Sequence, residues 1–154
     1  MLTKKYINQL VHSALLEDIG RDGDITSKVL IPKSSLSKAT IVVKEKAVIC
    51  GTEFAKQTFK KLDKSVKIRT LKKDGELANK GDKIITISGK TQNILTAERT
   101  ALNFLGLMSG VASKAKEFSD IADPYGSKIY STRKTIPGIR KLEKYALTIG
   151  GAYI

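Results

Sequence analysis

Residues 127–154 read SKIYSTRKTIPGIRKLEKYALTIGGAYI, and this stretch predicts the fold of the second half of the chain. A short strand at 127–131 is followed by a polar loop, and Pro137-Gly138 then opens a helix with apolar residues at helical spacing. Gly150-Gly151 ends this helix, and residues 152–154 begin another strand. Strand, helix and strand in this order are typical of the parallel βα units that build an α/β barrel.

The first half of the chain has a different pattern, in which short helical and alternating segments are mixed. Thr3 is placed to cap a helix that Gly20 ends, and residues 18–38 are expected to form a loop. The further elements expected are β-rich segments at 39–50, 66–71 and 84–88, and a helix capped by Thr52.

Turn signals at Asp74-Gly75 and at 80–82 separate a short segment, 76–77, from the strand at 84–88. A strand, a Gly-Asp turn and another strand are what a small hammerhead-like module contains. We therefore predict that residues 1–108 form an α+β N-terminal domain, an antiparallel sheet with helices.

A markedly apolar helical stretch begins at Thr91 and joins the two halves. Gly106 and Gly110 within it suit either close helix packing or a break. After Gly110 only 44 residues remain, whereas a closed barrel takes roughly 200 residues or more. We therefore expect residues 109–154 to form the first βα unit of an incomplete α/β barrel.

Two polar clusters interrupt the apolar second half. Glu98-Arg99-Thr100 lies within the helix, where it could form an internal ion pair, face solvent or belong to a site. Residues 132–135 follow the strand, where ligands bind in α/β folds. Arg133 offers a planar fork for a carboxylate, Lys134 a point charge for a phosphate, and Thr132 a hydroxyl. A merely exposed basic loop is the alternative for this second cluster.

The net charge of +13 arises mainly from 23 Lys, against 5 Arg, distributed along the whole chain. Scattered lysines favour a solvated surface over a charged binding face. Trp is absent, Arg is sparse and no recognition helix is evident, so we do not expect a nucleic-acid partner. No apolar stretch approaches the length of a membrane span, so we do not expect a membrane partner either.

The single cysteine, Cys50, excludes an internal disulfide and lies in an apolar run, which predicts a buried, inert thiol. His12 is the only histidine, and no cluster of zinc ligands accompanies it. The N-terminal residues contain no uninterrupted apolar stretch of the kind found in signal peptides. These features predict a cytoplasmic protein.

The two polar clusters, in this order and spacing, resemble those of the quinolinate phosphoribosyltransferase family, and the resemblance extends over nearly the whole chain. The runs that carry it are LEDIG at 16–20, GDIT at 23–26, AERTALNFL at 97–105, SGVA at 109–112, TRKTIPGIR at 132–140, LEKYA at 142–146 and the pair Gly150-Gly151.

The resemblance implies an enzyme that converts quinolinate and phosphoribosyl pyrophosphate to nicotinate mononucleotide, pyrophosphate and carbon dioxide, with magnesium as cofactor. It implies that Arg133 holds a quinolinate carboxylate, that Lys134 faces the phosphoribosyl donor, and that Thr132 lies in the same substrate-binding run. Arg99 is expected to be offered to the neighbouring subunit, which predicts a homodimer with shared sites. Arg140 and Glu143 are expected to position the loop and the helix.

The chain also departs from the family pattern. Ser131 stands where members often have Asp, and Ile136 where they often have a second Thr. Beyond Ile154 the family continues with a His-Arg pair, a later Lys, acidic residues for magnesium and phosphate-binding loops. We therefore expect a truncated chain that is inactive alone. The alternative is a non-catalytic remnant, or half of a split enzyme that dimerises or pairs with a separate C-terminal piece.

Overall fold

A computed structural model describes residues 2–154. Five helices, five strands and one turn of 3₁₀-helix make up the described part of the chain. In chain order they are α1 (Lys4–Ile19), α2 (Ile25–Leu30), β1 (Leu36–Val42), β2 (Ala47–Val48), α3 (Thr52–Leu62), β3 (Lys67–Thr70), β4 (Leu77–Ala78), β5 (Lys83–Lys90), α4 (Thr91–Ala122), the 3₁₀ turn Asp123–Tyr125, and α5 (Arg140–Ile149).

The N-terminal half contains the predicted antiparallel sheet. β5 is its central strand and pairs antiparallel with β1 on one side and β3 on the other, while β2 and β4 form a separate antiparallel pair. Ile85 and Ile87 alternate with polar Thr86 and Ser88 along β5, so one face of the sheet is apolar and buried and the other is polar. The apolar face packs against α3 and α4 in the first of two cores.

α4 is a continuous helix of 32 residues, which is about 48 Å at 1.5 Å per residue. Neither Gly106 nor Gly110 breaks it, and no atom lies within 4 Å of where a side chain on either would begin. Its first turns contribute Ala97 and Ala101 to the core beneath the sheet, and its later turns contribute Met108 to a second core with α1, α3 and α5. α4 therefore connects both halves of the molecule. The predicted boundary between 108 and 109 falls within this helix, and it stays a prediction.

The C-terminal half forms the predicted βα unit. The strands expected at 127–131 and 152–154 meet in a single parallel bridge between Tyr130 and Tyr153. Two backbone hydrogen bonds of 2.8 Å hold it, from the Ser131 N–H to the Tyr153 carbonyl and from the Tyr153 N–H to the Ile129 carbonyl. α5 lies between the two segments and packs on α4. Pro137 and Gly138 form a turn before α5 rather than its first residues.

Two further local predictions are wrong. The expected loop at 18–38 contains the last residues of α1, the whole of α2 and the beginning of β1. α2 has only six residues, too few for helical periodicity, and it forms because the Asp24 carboxylate accepts a hydrogen bond from the Ser27 N–H at 2.9 Å.

The second wrong prediction concerns the beginning of α3. Thr52 is the first residue of the helix rather than its cap, and Gly51 occupies the cap position with a left-handed φ of 97°. The capping oxygen comes instead from Asp74, whose carboxylate accepts from the N–H groups of Gly51 and Thr52, each at 3.0 Å.

Candidate functional site

The basic loop, residues 132–135, begins directly after the parallel bridge at Tyr130. Ser131 makes the last backbone hydrogen bond of the parallel bridge, and Thr132, Arg133 and Lys134 then follow with exposed side chains. The loop therefore lies at the carboxyl end of the short extended segment that forms this bridge, where the sequence predicted a strand end, and this is the edge at which α/β folds bind ligands. The Thr132 hydroxyl accepts a hydrogen bond from the Lys134 N–H at 3.2 Å, which folds the loop back on itself.

Three side chains of α5 hold this loop. The Arg140 Nε donates to the Thr135 hydroxyl at 3.1 Å, and the Ile136 N–H donates to the Glu143 carboxylate at 3.1 Å. The Lys144 ammonium donates to the Thr132 carbonyl at 2.7 Å and also to the Ser131 hydroxyl. Arg140 and Glu143 thus make the loop contacts expected of them, whereas the contact of Lys144 was not foreseen.

Arg99 lies elsewhere, on the α1 side of α4. Its Nη1 donates to the Asp18 carboxylate at 3.1 Å, and the other oxygen of Asp18 accepts from the Thr100 hydroxyl at 3.4 Å. The Arg99 side chain is nevertheless 74% exposed, against 18% for Asp18. The first polar cluster, Glu98-Arg99-Thr100, therefore contributes an ion pair within the chain, which was one of the alternatives expected for it. The pair orients Arg99 and leaves most of its guanidinium directed to solvent.

An open cavity of about 720 Å³ adjoins Arg99. Its walls come from the end of α1, the beginning of α2 and one side of α4, and they combine charged with apolar side chains. The lining residues include Asp18, Asp24, Ile25, Leu95, Arg99 and Leu102. None of residues 131–136 lines this cavity. Arg99 and the basic loop are therefore on separate surfaces, and the prediction that they meet only across a dimer remains a prediction.

Asp24 fixes the wall of this cavity. Besides capping α2, its carboxylate accepts a hydrogen bond from the Thr96 hydroxyl of α4 at 2.9 Å. The hydrogen bonds from Ser27, and then the one from Thr96, hold the pKa of the Asp24 carboxyl below its usual range. Asp24 thus remains ionised at neutral pH and joins α2 to α4.

A second buried network connects α5 to the N-terminal half. Asp74 accepts hydrogen bonds from the Thr52 hydroxyl at 2.6 Å and from the Tyr145 hydroxyl at 2.9 Å. Burial, together with the nearby Asp74 charge, raises the pKa of both Tyr145 and Cys50. Cys50 is fully buried, so the predicted burial of the thiol is confirmed.

Sequence reasoning missed Asp18, Asp74 and Lys144 as residues that orient these sites. Their signals were weak, because each contacts groups distant in sequence, such as Arg99, which is 81 residues from Asp18. Asp18 and Lys144 do lie in the LEDIG and LEKYA runs. Among residues 2–154 there is no group of three or more His, Cys, Asp or Glu that could hold a metal ion. No helix in the same range is long and apolar enough to cross a membrane.

An antiparallel α+β domain followed by a βα unit with a basic loop defines a class in which a small domain precedes an α/β barrel. Family models specify the class further. The quinolinate phosphoribosyl transferase N-terminal domain matches residues 24–109, and the C-terminal domain of the same family matches residues 111–154. The chain therefore belongs to the quinolinate phosphoribosyltransferase family, and the resemblance of its motifs is confirmed.

Curated relatives agree with this assignment. The chain is 40% identical over 145 residues to quinolinate phosphoribosyltransferase [decarboxylating] 2b, mitochondrial, from Nicotiana tabacum, an alignment that covers 94% of this chain and 41% of the relative. It is 38% identical over 147 residues to the probable nicotinate-nucleotide pyrophosphorylase [carboxylating] of Bacillus subtilis, covering 96% and 50% respectively. The chain thus spans only 41–50% of the length of these two relatives.

Solved structures have the same fold. The nicotinate-nucleotide pyrophosphorylase from Francisella tularensis superposes with a TM-score of 0.94 at 34% identity, covering 99% of this chain and 54% of that one. The corresponding protein from Ehrlichia chaffeensis gives a TM-score of 0.91, also at 34% identity and with the same coverage. The predicted fold, an α+β N-terminal domain followed by the start of an α/β barrel, is therefore confirmed.

Proposed function

We propose that this chain supplies the carboxylate-binding loop of a decarboxylating quinolinate phosphoribosyltransferase, an enzyme of NAD biosynthesis. The proposed reaction converts quinolinate and phosphoribosyl pyrophosphate to nicotinate mononucleotide, pyrophosphate and carbon dioxide. One observation carries the proposal: Arg133 and Lys134 are exposed directly after the parallel bridge at Tyr130, in a loop that α5 holds. Both substrates are anions, and fixed cations are the groups that such substrates require.

Each residue of the loop has a distinct proposed role. Arg133 binds a carboxylate of quinolinate, because its planar guanidinium matches the two oxygens, and each charged hydrogen bond of this kind contributes about 1.5–3 kcal/mol. Lys134 places a compact charge towards the phosphoribosyl donor, where negative charge grows as pyrophosphate departs. The Thr132 hydroxyl accepts from the Lys134 N–H, so its own O–H remains able to donate to a substrate oxygen.

We propose further that the enzyme is a homodimer in which Arg99 serves the partner's site. Asp18 orients the Arg99 guanidinium while leaving it largely exposed. Leu95 and Leu102, on the same side of α4, are 42% and 40% exposed, and Ile25 across the cavity is 60% exposed. Apolar side chains around an oriented charge are typical of a surface that another protein chain covers.

Magnesium is the cofactor expected of the family. The carboxylate nearest the basic loop, that of Glu143, accepts the Ile136 N–H, and residues 2–154 provide no cluster of metal ligands. The residues present therefore do not fit a magnesium site by themselves. In the proposed site the loop cations, Arg133 and Lys134, bind the anions.

A cytoplasmic location also stays a proposal, supported by the single unpaired cysteine. No observation favours a non-catalytic remnant, because the residues of the basic loop and Arg99 are all retained.

Binding of phthalate, a ring with two adjacent carboxylates, tests the proposed function by isothermal titration calorimetry. The Arg133→Ala variant is expected to lose at least about tenfold in affinity, the equivalent of one charged hydrogen bond. Arg69→Ala is the matched control, because it removes the same charge from an exposed position on the outer face of the sheet. Equal binding by wild type and Arg133→Ala would show that the loop is not the carboxylate site.

A further inference from the structure

Lys144 is the α5 side chain that reaches furthest into the basic loop. Its ammonium donates to the Thr132 carbonyl at 2.7 Å and to the Ser131 hydroxyl. Ser131 is also the residue whose N–H makes the last hydrogen bond of the parallel bridge. Lys144 therefore binds the chain at the point where the strand ends and the loop begins.

Thr132 is therefore held by two hydrogen bonds, one to α5 and one within the loop. Its carbonyl accepts from Lys144, while its hydroxyl accepts from the Lys134 N–H inside the loop. Arg133 lies between these two contacts, so the direction of its side chain depends on both of them. Arg140 and Glu143 hold only the later part of the loop, at Thr135 and Ile136.

The charge of Lys144 has no carboxylate partner among the described residues. None of the ion pairs within residues 2–154 includes Lys144, and its neighbour in the loop is the neutral Ser131. The Lys144 ammonium is half-buried, and its hydrogen-bond partners in the loop are neutral oxygens. A loop that carries Arg133 and Lys134 and is itself held by a third cation concentrates positive charge, which favours an anionic ligand.

We propose that Lys144 is a positioning residue for the carboxylate site: it fixes the Thr132 peptide so that Arg133 is oriented before the substrate binds. This inference rests on the proposed function of the loop. It adds that loop order, and not only the presence of Arg133, determines affinity for the dicarboxylate. Preorganisation of this kind raises affinity because less conformational freedom is lost on binding.

The test uses the full chain and the variants Lys144→Met, Lys144→Arg and Ser131→Ala. Hydrogen exchange of the backbone amides of residues 132–136 measures loop order, and calorimetry measures phthalate affinity. For Lys144→Met we expect the loop amides to exchange about tenfold faster and phthalate to bind about tenfold more weakly, the equivalent of one charged hydrogen bond. Lys144→Arg, which keeps a charged donor, should fall between Lys144→Met and wild type in both measurements.

Lys141→Met is the matched control, since it removes the same charge from the same helix, where Lys141 lies over the Tyr6 ring at 5.7 Å. It should leave loop exchange unchanged. Ser131→Ala keeps Lys144 and deletes only one acceptor, so it reports on the same contact even if Lys144→Met folds poorly. It should accelerate loop exchange less than Lys144→Met does.

Two results would overturn the proposal: loop exchange in Lys144→Met and Ser131→Ala equal to that of wild type, or faster exchange with unchanged phthalate affinity. If the wild-type chain binds no phthalate, the proposed function fails for this chain. The exchange of the loop amides still decides, independently of that result, whether Lys144 holds the loop.

Discussion

The Asp74 carboxylate accepts hydrogen bonds from Gly51, Thr52 and Tyr145, and so joins the beginning of α3 to α5. It performs the task of a helix cap from a turn 22 residues away from Thr52. A helix that begins with glycine in the cap position has no capping side chain of its own, which explains why the oxygen must come from elsewhere.

We therefore expect Asp74→Ala to lower the free energy of unfolding by about 2–3 kcal/mol. The estimate combines a lost cap, worth about 1 kcal/mol, with the part-buried Tyr145 hydroxyl left without its acceptor. Urea unfolding measures this change. Asp120→Ala, which removes an equal charge from an exposed pair with Lys116, should change stability by less than about 0.5 kcal/mol. Similar losses in the two variants would mean that charge alone is responsible.

The lowered pKa of the Asp24 carboxyl predicts how the stability of the fold depends on pH. Because hydrogen bonds lower its pKa in the folded chain, ionised Asp24 stabilises the fold above the unfolded value of about 3.9, and this contribution is lost as pH falls through the lower folded value. Below about pH 4 the melting temperature should therefore fall more steeply for wild type than for Asp24→Asn, measured by circular dichroism. Asp22→Asn is the control two residues away, and it should retain the wild-type slope. Equal slopes for wild type and Asp24→Asn would contradict the assignment.

At the scale of elements, Gly150, which follows the last residue of α5, lies in close contact with α4. A Cβ at this position would lie 2.2 Å from the Ala112 carbonyl oxygen and 2.6 Å from the Ala115 Cβ. Glycine is thus needed here for space and not for its backbone angle, since its φ is −81°. This contact sets how α5, and with it the basic loop, lies on α4.

Gly150→Ala is accordingly expected to destabilise the chain by at least about 1–3 kcal/mol, the usual range for overpacking. Gly106→Ala provides the opposite case within α4, because open space surrounds that position. It should stabilise the chain by roughly 0.5–1 kcal/mol through better helix propensity. Urea unfolding of both variants measures the contrast, and a Gly150→Ala variant as stable as wild type would refute the close approach.

The helices and strands that the sequence predicted correctly are those whose patterns depend on residues close together in the chain. Alternation along β5, the Thr3 cap of α1 and the Gly150-Gly151 stop of α5 each depend on neighbouring residues. The cap of α3 could not be found in this way, because its oxygen belongs to a distant turn. For the candidate site, family motifs predicted Arg99 and the basic loop. The contacts that orient them, from Asp18 and Lys144, depend on how α1 and α5 pack against the rest of the chain.

At the scale of the whole molecule, the basic loop and Arg99 lie on separate surfaces, and each offers exposed cations. In the proposed dimer, one chain contributes the loop and the other contributes Arg99 to a single site. Exposed apolar side chains on α4 lie beside Arg99, so burial of that surface and completion of the site would occur together. Assembly is therefore expected to be a condition for activity.

The 154 residues alone should form no nicotinate mononucleotide when quinolinate and phosphoribosyl pyrophosphate are supplied in the presence of magnesium. These residues span only 41–50% of the Nicotiana tabacum and Bacillus subtilis relatives, and the loss of a single transition-state interaction commonly lowers the rate about 10²–10³-fold.

Adding a polypeptide that begins at the family's His-Arg pair should restore product formation, measured by chromatography. In that reconstituted system, Arg99→Ala and Arg133→Ala chains should each be inactive. A mixture of the two should regain part of the activity, because one site of each mixed dimer receives both arginines. Turnover by the 154 residues alone would refute the need for a second half, and a mixture as inactive as its components would refute the shared site.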